Sequence, residues 1–532
     1  RSTYDESRPV KQRRFRVAAR TSVIRHDKER ATPPADDKPT RYRRRGSWWR
    51  RTAILSFLFP LLILAIAYMI QGFWPIADTS PLTIDLYHQY ASFISELRTK
   101  LLAGESLLYS WRTGLGSNYY AIYAYYSASP LNLLLLLFPT HYITEAVTIL
   151  ILLKTGLIGL TTACMLRYAY CPEGRRTIAA RKATRVRRRD EVGTDWIIVA
   201  VSAAFALSGF VLAYSWDIMW LDVIYLLPLT VLGLHRMIAQ NKFVLYTVSL
   251  ALAIFTNYYI ALFVCIFLFF YFFVAYFSYK AQRMTPLKRP VLHFFSKALF
   301  FGGFSILAAA LVAVLAIPTF LALQHTSAAG DVMPTSHSFR FTLFEFLSRH
   351  LLTMAPSIRS GLPNIYSGIL AFAFIPLYVF ARSIPLKEKI AHLSLLAFLF
   401  LSFNSNILDF FWNGMHYPNQ LPYRYSFLYS FLLLIIVFRA LTHLREYSHR
   451  MILSALGLGI IMAVLAQQLL PDEVTHLTAY ASILFFLLYM AVFSLLRKRG
   501  NFRFMASLLL IVVLCELSVN TILVIHQLGS NE

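Results

Sequence analysis

Cysteine is scarce in this chain: four in 532 residues, at Cys164, Cys171, Cys265 and Cys515. None falls in a stretch read below as an outer loop, so no disulfide framework is implied and packing is their simplest use. Charge is scarce too, at 14% against 57% hydrophobic residues and a mean hydropathy of +0.55. That balance excludes a soluble globular protein. Acidic residues are the shorter supply, 26 Asp+Glu against 51 Lys+Arg, for a net charge of +25. In a soluble protein such an excess would suggest nucleic acid, but here the position of the charge says otherwise. Catalytic signatures are missing as well: no P-loop, no HExxH, no paired CxxC and no DxD. ATP coupling and metal-held nucleotide sugars therefore have no support. The string TGLGSN (Thr113–Asn118) has the glycines of a dinucleotide loop but no strand–turn–helix context around it.

Long apolar runs are what the chain does have. They recur near 52–71, 142–169, 196–214, 218–235, 243–256, 258–278, 298–323, 364–381, 390–404, 425–438, 451–470, 477–496 and 504–525. The reading is an all-α polytopic membrane protein of about thirteen transmembrane helices. With the N-terminus cytoplasmic, the segments between runs that lie inside hold 43 Lys/Arg, against 7 in the outer loops 72–141, 324–363 and 405–424. This asymmetry sets the orientation. Residues 1–51 read as a disordered basic cytoplasmic tail able to meet anionic headgroups, with RNA binding the minor alternative. Its basic region runs too long before the first apolar stretch for a cleavable signal. Residues 52–532 form the membrane domain, with 171–195 a basic cytoplasmic loop, and no internal repeat is evident.

Chemistry belongs on the outer face, above all in the first outer loop. Asp85 lies shortly after the first run, Thr52–Gln71. Leu86, Tyr90, Phe93, Ile94, Leu97 and Leu101 follow at helical spacing, with Gln89, Glu96, Arg98 and Lys100 between them. This predicts an amphipathic helix lying flat on the membrane, its charges outward. An aromatic ladder, Tyr119, Tyr120, Tyr123, Tyr125 and Tyr126, closes the loop and, with Trp111, Trp216, Trp220 and Trp412, reads first as an interfacial belt. Asp85, flanked by His88 and Gln89, is either a helix cap or a general base for an acceptor hydroxyl. The fallback bases are His88, His325, His337 and Asp217. Arg349, Arg359 and Arg424 suit phosphate, or else anchor to lipid headgroups. Lys154, deep in its run, needs a partner, and Asp222 is the candidate; Glu516 has the same need and no obvious partner.

The strings DLYHQY (Asp85–Tyr90), YSWRTGLGSN (Tyr109–Asn118), SASPLNLLLLLFP (Ser127–Pro139), WLDVIYLLPL (Trp220–Leu229), NYYIALF (Asn257–Phe263), SGLPNIYSG (Ser360–Gly368) and YPNQLPYRYSF (Tyr417–Phe427) together resemble the YfhO family of bacterial membrane glycosyltransferases, in the GT-C superfamily. The resemblance implies a GT-C-type bundle whose first outer loop carries the catalytic carboxylate, at Asp85. It implies a polyprenyl-phosphate sugar donor and a cell-envelope acceptor such as a teichoic acid, met on the outer face of the bacterial membrane. Substrate contacts are expected from His88, Gln89, Asn118, Tyr125, Lys154, Asp222, Arg359, Asn364, Tyr366, Tyr417 and Arg424. The missing DxD agrees, because arginines suffice for a monophosphate leaving group. A single base with direct displacement inverts the anomeric centre. No cofactor and no metal ligands are predicted, though a divalent metal stays open. The partners are membrane lipids, donor and acceptor, not nucleic acid. Two rivals stand beside the transferase: a transporter or flippase of lipid-linked sugars, with Lys154, Asp222 and Glu516 along its path, and an envelope scaffold or sensor whose outer loops dock partners.

Overall fold

Every apolar run contains helix, though the run at 364–381 is helical only from Leu370, and no strand occurs among the described residues. A computed structural model describes residues 42–73, 80–171, 184–281, 287–325, 331–418, 420–497 and 502–530. The main helices are α1 (Tyr42–Ile70), α2 (Ala91–Ala103), α3 (Ile143–Met165), α4 (Thr184–Ala206), α5 (Trp220–Gln240), α6 (Val244–Thr256), α7 (Tyr258–Ala281) and α8 (Pro290–Leu311). After them come α9 (Leu370–Phe380), α10 (Leu386–Asn404), α11 (Ser426–Thr442), α12 (His449–Leu469), α13 (His476–Arg497) and α14 (Phe502–Ser530). Among the described residues, nine stretches of helix are long and apolar enough to cross a membrane, and four apolar helices are shorter. The thirteen runs thus all contain helix, while nine meet the length and hydropathy of a full crossing.

Two expected boundaries move. Helix α1 already begins at Tyr42, inside the expected tail 1–51, and residues 1–41 lie outside the described set. In the loop expected at 171–195, residues 172–183 lie outside the described set and α4 begins at Thr184. The four cysteines are free thiols.

Burial sorts the helices. The span 193–213 is almost wholly buried and α8 has almost no buried residue, so the first runs through the bundle centre while the second presents apolar side chains to lipid. Within Ser47–Glu532, helix α1 packs on α3 at very short range. A Cβ on Gly159 would lie 2.0 Å from the Ser56 carbonyl oxygen, and one on Gly156 would strike the Phe57 ring at 2.8 Å. Only glycine permits this backbone approach, the small-residue packing that joins helices where lipid supplies no hydrophobic drive. It fixes the helix from whose end the first loop departs.

That loop is built by side chains that point inward. The segment Leu86–Tyr90 winds as a π-helical turn into α2, which ends at Gly104 in the left-handed conformation, φ 65°. The helix was expected; its charged face is not where the spacing put it. Glu96 and Lys100 are buried, 8% and 4% exposed. Glu96 accepts from Ser110 Oγ at 2.6 Å and pairs with Arg112 at 3.4 Å. Lys100 Nζ donates to the Ser106 and Tyr109 carbonyls at 3.0 and 2.9 Å. These bonds fold residues 104–118 back onto α2, because a buried charge must find polar partners. Helix α2 is therefore the spine of the loop rather than a raft with its charges outward.

Candidate active site

Three chain segments converge on one cluster. The first is Asp85–Tyr90, the second the turn from Tyr214 to Met219 that leads into α5, the third the loop entering α11. Tyr90 Oη donates to Asp217 Oδ1 at 3.1 Å and stands 3.3 Å from Asp85 Oδ2, so one phenol lies between two carboxylates. The Tyr90 ring stacks on Trp216, interplanar angle 8°, and lies 5.2 Å from the Tyr126 ring. Asp85 is half-buried and Asp217 wholly buried. Among the described residues, Asp217 Oδ2 has no hydrogen-bond partner.

Arg424 completes the cluster. Its guanidinium donates to the Leu421 and Gln420 carbonyls at 3.2 and 2.9 Å and lies over the Trp220 and Tyr259 rings at 5.8 and 5.4 Å. Carbonyls and aromatic faces hold the cation without neutralising it. Tyr214 Oη ties this loop down by donating to the Pro422 and Ser357 carbonyls, each at 3.1 Å.

Burial pushes the Asp217 carboxyl well above the usual range; Arg424 opposes most, Tyr90 donation next, and the Asp85 charge adds to the rise. Burial, then the Asp217 charge, pushes the Tyr90 hydroxyl far up, so it stays protonated and remains a donor.

Backbone conformation is unusual at both ends of the cluster. Ile84, β-branched and immediately before Asp85, has φ 50°, and Leu421 and Tyr423, on either side of Pro422, have φ 59° and 55°. A β-branched residue in that region is an outlier held by its surroundings, and such strain collects at working sites. The π-helical turns Leu86–Tyr90 and Tyr123–Ser127 flank the same cluster.

The expected site residues divide. Asp85, Tyr125 and Arg424 come together; Tyr125 lies 4.6 Å from the Tyr126 ring and 6.3 Å from the Tyr259 ring. His88 and Gln89 are exposed beside Asp85. Arg359 is exposed and adjacent to Ile358, whose carbonyl accepts from Leu421 N at 3.0 Å, so it borders the Arg424 loop.

Others have structural partners. Asn118 caps Tyr119–Ile122 by accepting from Ala121 N. Asn364 braces residues 349–364 through Ser357 and the buried Arg349, whose guanidinium burial pulls down to about 10. Tyr417 N binds Asp331. Lys154 pairs with Asp222 at 2.5 Å, both wholly buried, and Ser129 and Tyr225 also donate to Asp222. Glu516, expected to lack a partner, accepts from Tyr366 Oη at 2.7 Å, from Ile369 N at 2.7 Å and from Tyr489. All three groups, Lys154, Asp222 and Glu516, are buried and held by hydrogen-bonding partners.

Sequence reasoning placed Asp217 only among the fallback bases and gave Tyr90 no role beyond the helix face. The signal was the Trp-Asp pair in the short turn YSWDIMWLD. Among the described residues no group of three or more His, Cys, Asp or Glu converges as a metal set.

Residues 56–532 match the family described as "Bacterial membrane protein YfhO". The chain belongs to the YfhO family. With its many apolar helices, it is a multi-pass membrane protein of all-α fold. No curated protein matches it. Among solved structures it is similar to ArnT from Cupriavidus metallidurans bound to undecaprenyl phosphate, at 13% identity over 88% of this chain and 77% of that one, TM-score 0.41. At that distance the likeness assigns no residue here.

Proposed function

We propose that this YfhO-family chain is an integral-membrane glycosyltransferase of GT-C type. It moves a sugar from a polyprenyl-phosphate donor to a cell-envelope acceptor of the teichoic-acid kind, on the outer face of the membrane. The observation that carries the reading is a half-buried carboxylate, Asp85, joined through Tyr90 to a buried one, Asp217, beside a cation, Arg424, that has no salt-bridge partner among the described residues. Asp85 is the base that takes the proton of the acceptor hydroxyl. Arg424 receives the phosphate that departs as a lipid monophosphate, with exposed Arg359 as a second contact. Tyr90, anchored on the buried Asp217, holds Asp85 in place. His88 and Gln89 are free to meet the acceptor. One base and direct displacement invert the anomeric centre. The skew of Lys and Arg to one set of segments supports the outer location.

The test is reconstitution of the full chain in vesicles with a radiolabelled polyprenyl-phosphate sugar and envelope-polymer acceptors. Label arriving on the acceptor supports the reading. Label crossing the bilayer without transfer would make the chain a flippase, and neither outcome would make it a docking protein.

A further inference from the structure

We infer that the chain carries a second lipid site, for an anionic glycerophospholipid, at the opposite end of α7 from the candidate active site. A groove of about 550 Å³ runs between α7 and α10, within the usual size of a ligand cleft of about 300–1,000 Å³. Phe270, Phe273, Val274 and Phe277 line one wall, and Ile390, Ala391, Leu395 and Phe398 the other. On each helix these positions recur at three- and four-residue spacing, one continuous apolar face. Each face ends in a lysine that also lines the groove, Lys280 near the end of α7 and Lys387 near the start of α10. The two helices run antiparallel, so both ammonium groups stand at one mouth.

Neither lysine has a hydrogen-bond or ion-pair partner among the described residues. Nearby Lys389 differs, donating to the Val379 carbonyl at 2.7 Å. Two unpaired cations over a phenylalanine-lined slot complement a phosphate headgroup with an acyl chain below it. Basic pockets between membrane helices take such lipids.

Lys280 lies about 31 Å along α7 from Tyr259, the residue against Arg424, at about 1.5 Å per residue. That is about the thickness of a bilayer's hydrocarbon core. The groove therefore opens to the leaflet opposite the candidate active site and is separate from the donor's place. Its occupant is a resident phospholipid that staples α7 to α10.

The experiment is native mass spectrometry of the full chain with dioleoyl-phosphatidylglycerol and dioleoyl-phosphatidylcholine, with thermal unfolding run alongside. Wild type should retain the anionic lipid preferentially. Lys280→Gln/Lys387→Gln should lower that preference roughly tenfold or more, each lysine contributing about fivefold. Ala391→Trp and Ser394→Phe, which fill the groove and leave the charge intact, should lower it comparably. Lys242→Gln, the same charge change outside the groove, should leave it unaltered. Equal retention of both lipids overturns the site. So does full retention by folded groove-filled variants, or a loss in Lys242→Gln as large as that in the double variant. Displacement of the phosphatidylglycerol by an equimolar polyprenyl phosphate would make it a carrier-lipid site instead, contradicting the assignment. None of these outcomes depends on glycosyl transfer.

Discussion

Asp217 and Asp222 stand five positions apart in one short stretch, DIMWLD, and both are wholly buried. Their surroundings are opposite. Asp222 is saturated by Lys154 at 2.5 Å, Ser129 at 2.7 Å and Tyr225 at 3.1 Å. Among the described residues the Asp217 carboxyl has one hydrogen-bond partner, Tyr90, and an oxygen with none, while Arg424 acts on it through space. A saturated buried carboxylate holds helices together. An unsaturated one is a cost that the fold sustains where a ligand or a reaction uses the free valence. Burial alone does not separate structural charge from working charge; unfilled hydrogen-bonding capacity does.

The contrast breaks most visibly at the saturated pair. Asp222→Asn should destabilise the protein by about 3–5 kcal/mol, because Lys154 is left buried without its counter-charge. Replacing both partners, Lys154→Met with Asp222→Leu, should recover most of that loss, read as the unfolding midpoint in detergent. Failure of the double variant to recover would mean that Asp222 does more than neutralise Lys154.

Asp217→Asn should behave in the other way, folding normally while kcat falls about tenfold or more through misplacement of the reacting groups. Its pH dependence has a definite sign. Burial raises the folded-state pKa of Asp217 above its unfolded value. The stability it contributes is therefore fully present below the unfolded pKa and is lost as pH rises through the folded one. The Asn variant should lack that loss and show a flatter stability profile toward alkaline pH. A variant less stable than wild type at high pH would put Asp217 in the structural class with Asp222.

At the cation, Arg424→Lys should weaken donor binding by about 1.5–3 kcal/mol, since a lysine cannot reproduce the planar fork on a phosphate. Unchanged donor affinity, measured by displacement of a labelled lipid phosphate, would return Arg424 to interfacial anchoring. The smallest effect is expected from Tyr90→Phe, about 0.5–1.5 kcal/mol of stability for the lost hydrogen bond. Its sharper signature is kinetic. Tyr90 stands between the two carboxylates, so its removal should shift the acid limb of the rate profile. An unmoved limb would show that the bridge does not couple the two carboxylates.

How much of this was legible beforehand depends on the kind of interaction. Helices came from long apolar runs, a one-dimensional signal, and all thirteen runs contain helix. The place of Asp85, on the first outer loop and against Tyr90, was legible because it follows the first span closely. The pairing of Lys154 with Asp222 was legible as well, because a charge at that depth must find a partner and few exist. Glu96 and Lys100 were misread as an outward face. Helical periodicity cannot tell a surface charge from one that clamps a returning loop through carbonyls of Ser106 and Tyr109. Glu516 escaped for a related reason: its partners are tyrosines and a backbone N–H, which carry no charge to search for. The link of Asp217 to Asp85 escaped because it runs through Tyr90, 127 positions away in sequence. No local pattern announces such a contact.

The most direct measurement of the central claim is the turnover of folded Asp85→Asn protein. The change keeps size and most hydrogen bonding but removes proton acceptance. Donor binding should survive, because the proposed phosphate contact is Arg424, not Asp85. The kcat should fall by roughly 10²–10⁴, the usual contribution of general acid–base catalysis. Folded Asp85→Asn protein that binds donor and transfers sugar at the wild-type rate would contradict the account, leaving Asp85 a helix-start residue and the base to be sought elsewhere.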